Sequence, residues 1–170
     1  MKEAYQTNSF SFKSKNDGLI NFGTVSYVLG ILVLVEAGLF AICAGVSAIY
    51  QESSYIYFIW TMLINMGIGG VMVLAGNRKC NNVSRRDGYF IVSVSWILFT
   101  LLGMLPFYLS GYIPSVADAF FETMSGFTTT GATILNNIES LPHGLLFWRS
   151  FTQWIGGLGI VLFRIALLPL

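Results

Sequence analysis

Charge is what this chain has least of. Of its 170 residues only 10% are Asp, Glu, Lys or Arg, against about a quarter in an ordinary soluble domain. So few charges cannot clothe a water-facing surface of that size. The formal net charge is +1, and no basic block is long enough to suggest a nucleic-acid partner. Cysteine is almost as scarce. Cys43 lies in an apolar run and Cys80 follows Lys79. The two fit neither a disulfide framework nor a metal-ligand spacing, so both read as free thiols. No glycine-rich dinucleotide fingerprint and no P-loop pattern occurs. No catalytic dyad or metal cluster falls at a common depth, which leaves an enzyme the least supported class. The lone histidine, His143, follows Pro142 and reads as an interface residue. The stretch after Met1 is polar, and the first apolar segment is too long for a signal peptide and lacks a cleavage site, so no leader is expected.

What the chain does have is apolar length. Hydrophobic residues make up 55%, with 14 Phe and 18 Gly, and the mean hydropathy is +0.69. About twenty apolar residues in a helix span the hydrocarbon of a bilayer. Residues 1–18, with Lys2, Lys13 and Lys15, read as a polar tail. Residues 19–75 read as a pair of transmembrane helices. The first, 19–49, is interrupted by one charge, Glu36, which is expected to be protonated, paired or packed against another helix. A turn at Gln51–Ser54 contains Glu52 and is flanked by Tyr50, Tyr55, Tyr57 and Trp60, an interfacial aromatic belt. The second crossing, 55–75, carries Gly67, Gly69 and Gly70, which suit close helix approach. Residues 76–88 hold Arg78, Lys79, Arg85 and Arg86 against Asp87. The positive-inside rule puts this loop, and with it the N-terminus, in the cytoplasm.

A third crossing is expected over 89–109, with Pro106 near its outer end. The pattern then changes. Ser115 and Asp118 have capping-box spacing, and the helix they start, 115–127, is too short to span. A segment at 128–135 follows that does not read as helix. A fourth crossing is expected over 144–163, and it leaves Arg164 on the cytoplasmic side. The short helix and the segment after it therefore start and finish on the outer side. That makes a re-entrant loop, with a short surface helix as the alternative.

Non-helical backbone survives at membrane depth only where protein buries it or where it lines a watery cavity. Thr128-Thr129-Thr130-Gly131-Ala132-Thr133 could line one. Backbone carbonyls and threonine hydroxyls in an extended loop can replace the hydration shell of a cation. Gly131 tolerates backbone angles closed to other residues. The short helix ends just before this run, and the partial negative charge of its C-terminus favours a cation there.

On these residues the chain resembles a known family. SVADAFFETMSGFTTTGATIL at 115–135, with LPHGLLFWRSFTQWIGGLGIVLF at 141–163, is similar to the first pore repeat of the TrkH/KtrB family of bacterial potassium transporters. The TrkH branch is the closer one. The resemblance implies an all-α membrane protein, a helix–re-entrant pore loop–helix repeat preceded by two transmembrane helices. It implies four such repeats in one polypeptide, so three further repeats are expected beyond this one. Potassium would be the transported ion, with no organic cofactor. Its ligands would be backbone carbonyls of Thr129, Thr130, Gly131 and Ala132, flanked by Thr128 and Thr133. Against the TVGYG filter of potassium channels, Ala132 replaces the tyrosine and Thr133 the last glycine. The family further implies a homodimer in the bacterial inner membrane, regulated by a cytosolic nucleotide-binding ring.

Supporting roles are expected for three residues around the loop. Arg149 could pair with Glu122 or Glu139, or donate to loop carbonyls, its fork of donors suiting irregular backbone. Gln153 is expected to hydrogen-bond to a neighbouring helix or loop. Asp118 and Glu122, one turn apart, are read as capping and solvated residues, or else as an acidic mouth that concentrates cations. Phe147, Trp148, Phe151 and Trp154 are read as packing and belt residues, and Gly156, Gly157 and Gly159 as points of close helix approach. The competing function is a non-conducting membrane scaffold built on a degenerate repeat.

Overall fold

The computed structural model describes residues 21–76 and 85–167, with the side chains of Arg85 and of 162–167 left out. The expected tail, most of the basic loop, Cys80 and the Arg164 side chain lie outside the described residues. The helices run α1 Phe22–Ile49, α2 Tyr55–Ala75, α3 Arg85–Gly103, α4 Leu105–Leu109, α5 Val116–Phe127 and α6 His143–Leu167, with a single 3-10 turn at Ile138–Ser140 before α6. No strand occurs among the described residues.

Three stretches are long and apolar enough to cross a membrane: Phe22–Ile49, Tyr55–Ala75 and Arg86–Leu109. The 25-residue α6 is also long enough to cross, and Arg149 and Gln153 in its N-terminal half lie on the side that packs against the protein.

The α1–α2 hairpin is the most extensive contact in the fold. It closes at Gly30 and Gly69. A Cβ on Gly30 would stand 2.9 Å from the Gly69 carbonyl oxygen, and one on Gly69 would stand 3.0 Å from that of Gly30. Gly67 and Gly70, by contrast, have nothing within 4 Å of such a Cβ, so only one of the three glycines of α2 serves this crossing. Val33, Glu36, Ala37 and Phe40 form the buried face of α1, and Phe58, Thr61, Asn65 and Gly69 that of α2. Outward residues such as Trp60, Val71 and Leu74 are exposed and apolar, as lipid-facing residues should be.

The third crossing is a helix with a local interruption. It is already helical at Arg85, ahead of the expected 89, and Asp87 accepts a 3.1 Å bond from the Asn21 amide. The interruption is at Met104, and Pro106 sits in the first turn of α4. The Met104 amide donates to Thr100 and the Tyr108 amide to Met104, so the helical ladder runs across this point, and the Pro106 nitrogen has no hydrogen to give the carbonyl of residue 102.

Phe40, Phe58, Phe107, Phe127, Leu145 and Trp148 share one core where five helices meet. Trp148 is fully buried, its ring 4.5 Å from that of Phe40, and its indole donates to the Gly103 carbonyl at 2.8 Å. It is a core anchor, not a belt residue. Trp154 is the exposed one.

Candidate functional site

The site begins with how α5 starts and stops. Ser115 accepts from the Asp118 amide at 3.3 Å, an N-cap. At the other end the Thr129 amide donates to Gly126 at 2.9 Å and the Thr130 amide to Ser125 at 3.0 Å. These two bonds define a Schellman cap with Thr129 at the left-handed position. Its φ is +57°. A β-branched residue there is strained, at a cost of about 1–2 kcal/mol. Gly131 follows at φ +74°, where glycine carries no such penalty.

The two positive angles reverse the chain, and the segment returns alongside α5. The Ser125 hydroxyl donates to the Ala132 carbonyl at 2.6 Å. The Thr133 hydroxyl and the Ile134 amide donate to Glu122, at 2.9 and 3.2 Å. Residues 128–133 are exposed along this path, and the Thr128 and Thr130 hydroxyls lie 2.9 Å apart. The carbonyl of Ala132 therefore already serves one donor from α5, with its second lone pair still open.

Glu122 holds the arrangement together. It is 2% exposed, and Arg149 of α6 meets it at 2.6 Å. It is neither solvated nor part of an open acidic mouth. Glu139 stays exposed on the 3-10 turn and takes no part. Asp118 remains at the surface beside its cap.

The rest of α6 braces the same segment with helical spacing. Thr152 packs on Gly126, so closely that any Cβ on Gly126 would collide with its hydroxyl. The Gln153 amide nitrogen lies 3.6 Å from where a Cβ on Gly131 would stand. Gly156 abuts the Phe127 carbonyl, which a Cβ would strike. Arg149, Thr152, Gln153 and Gly156 thus form one face of α6 laid against the turn.

The N-terminal end of α6 has its own anchor. Pro142-His143-Gly144 offers no local N-cap. Glu52, from the α1–α2 turn, accepts from the His143 and Gly144 amides at 2.7 and 3.2 Å, and its other contacts are the His143 ring at 2.7 Å and Ser54 at 3.1 Å. The imidazole also stacks on Tyr50, with ring centroids 4.2 Å apart. Burial acts to raise the Glu52 carboxyl, but these donors outweigh it and hold it below its ordinary value.

Sequence reasoning missed Ser125, Thr152, Glu52 and the anchoring role of Trp148. Only Glu52 left a trace in the sequence, since a helix starting Pro-His-Gly must find its acceptor elsewhere. Among the described residues no group of three or more His, Cys, Asp or Glu could hold a metal ion. The oxygens on offer to a cation are those of backbone and threonine.

Residues 56–170 match the TrkH family, described as a cation transport protein. The Trk system potassium uptake protein TrkH of Salmonella typhimurium is 35% identical over 152 residues, covering 89% of this chain and 32% of that protein. The Trk system potassium uptake protein TrkG of Escherichia coli K12 is 36% identical over 126 residues, 74% of this chain and 26% of that protein. The crystal structure of the potassium transporter TrkH from Vibrio parahaemolyticus superposes with a TM-score of 0.80 at 34% identity, over 88% of this chain and 32% of that one. The chain spans about a third of the length of these relatives.

Proposed function

The chain belongs to the TrkH family of cation transport proteins, and from that premise we propose that it supplies one pore repeat of a potassium-transporting membrane protein. One observation carries this reading. An exposed segment of threonines and glycine, Thr128–Thr133, is pinned from behind to α5 and α6 and leaves its front face open. A pathway cation needs oxygens on one side and rigid support on the other. The carbonyls of Thr129, Thr130, Gly131 and Ala132 are the ligands in this reading. Thr128 and Thr133 flank them, and Ser125 fixes the orientation at Ala132. Arg149, Glu122 and Gln153 keep the turn in shape without touching the ion.

Trp154, Leu158, Ile160 and Val161 of α6 are exposed and apolar. Three further repeats would cover them and complete the ring of oxygens. The same reading puts the protein in the bacterial inner membrane, with a cytoplasmic N-terminus, as a homodimer controlled by a cytosolic nucleotide-binding ring.

The test is potassium uptake by the full-length polypeptide in a strain that lacks its own uptake systems. Growth at low potassium is expected from the wild type. Gly131→Val should insert normally and lose preference for potassium over sodium. An unchanged preference in that variant would overturn the filter assignment. A wild type that moves no potassium under any condition would favour the scaffold instead.

A further inference from the structure

Glu36 is the only charged residue of α1 and lies in its middle. It is 2% exposed, and among the described residues its hydrogen-bond partner is the Asn65 amide, which donates to Oε2 at 3.3 Å. Asn65 is fully buried on α2. One oxygen of each side chain, Glu36 Oε1 and Asn65 Oδ1, is buried with no hydrogen-bond partner. Both orphans are acceptors when the carboxyl is ionised, so nothing in the pair can satisfy either.

Among the described residues the surroundings offer no countercharge. α2 has no charged residue. The charged side chains nearest the core on α5 and α6, Glu122 and Arg149, are bound to each other. Arg85, Arg86 and Asp87 belong to the opposite end of α3. The other titratable group on the buried face of α1 is the Cys43 thiol, two turns away. A bare carboxylate in such a place costs several kcal/mol.

A single proton resolves the pair. Protonated Glu36 gains an O–H donor, and an acid facing a primary amide can both donate to and accept from it. We propose that Glu36 and Asn65 form a buried proton-binding site, occupied in the resting protein, that clamps α1 to α2 beside Gly103 of α3. The position explains the second half of this statement. Glu36 Oε1 lies 3.2 Å from where a Cβ on Gly103 would stand, and Thr123 and Phe127 of α5 reach the same point at 3.1 Å. The Gly103 carbonyl in turn receives the Trp148 indole. Loss of the proton would put a full negative charge at the one point where α1, α3, α5 and α6 converge.

The test uses the full-length protein in lipid nanodiscs, with infrared difference spectra and thermal melts over a range of pH. Wild type is expected to show a protonated-carboxyl C=O stretch that Glu36→Gln abolishes and Asn65→Leu shifts. Glu36→Gln, which mimics the neutral acid, should melt with the wild type and resist alkaline destabilisation better. Two results overturn the site. One is an unchanged carbonyl band in Glu36→Gln. The other is a Glu36→Gln protein that fails to fold or loses a stabilisation by sodium or potassium seen in wild type, since an ion would then be the occupant. The readouts do not depend on potassium transport, so this site and the pore reading stand or fall separately.

Discussion

At the scale of single residues, the turn after α5 combines strain with support. Thr129 occupies a left-handed position that glycine would take without penalty. Thr129→Gly is expected to leave stability unchanged or raise it by up to about 1 kcal/mol, since relief of strain is partly offset by the freer unfolded chain. Ion preference should fall nonetheless, because the rigid turn is lost. Melting curves and uptake ratios on the same variant separate the two effects. Glu122 and Arg149 behave differently. Removing one partner of a buried ion pair strands the other, typically at about 3–5 kcal/mol. Arg149→Ala should therefore destabilise more than a double Glu122→Gln/Arg149→Met replacement, and a thermal-shift series checks the order. The pairing was legible in the sequence as one of three options for Arg149. The choice was not, because only the folded register brings α5 and α6 side by side and leaves Glu139 on the surface.

At the scale of elements, the helices are easy to read and their joints are not. Ser115, with Asp118 three residues on, announces α5, and the apolar lengths announce α1 and α2. Pro106 marks the interruption at Met104, but a proline alone does not say whether a helix bends or restarts. The glycines looked alike in sequence, yet they divide sharply in the fold. Gly156→Ala is expected to push α6 off the Phe127 carbonyl and cost about 1–3 kcal/mol. Gly67→Ala and Gly70→Ala, with open space at each, should gain slightly from helix propensity. Equal effects at 67 and 156 in a melting series would refute this packing. The Glu52 cap adds a pH signature. A carboxyl held below its ordinary value of 4.5 stabilises the fold above that value, and the benefit disappears as pH falls through the lowered one. Acid should therefore weaken wild type more steeply than Glu52→Gln, as melts between neutral pH and about pH 3 can record.

At the scale of the whole molecule, Gly103 is the hub. A side chain there would meet Glu36, Thr123 and Phe127 together, and Gly103→Ala is expected to disturb both the helix pair and the turn. Nothing in the sequence singles out this glycine, because its neighbours come from three distant segments. The open apolar face of α6 was equally hidden, since periodicity does not reveal which neighbours a helix lacks.

The Glu52 cap also sets an order of events during synthesis. Its carboxylate and the amides it binds are separated by 91 residues. At about 5–20 residues per second, the ribosome needs roughly 5–20 s to bridge that interval. The α1–α2 hairpin therefore waits in the bilayer with an idle acid, and α6 is received by a clasp already made.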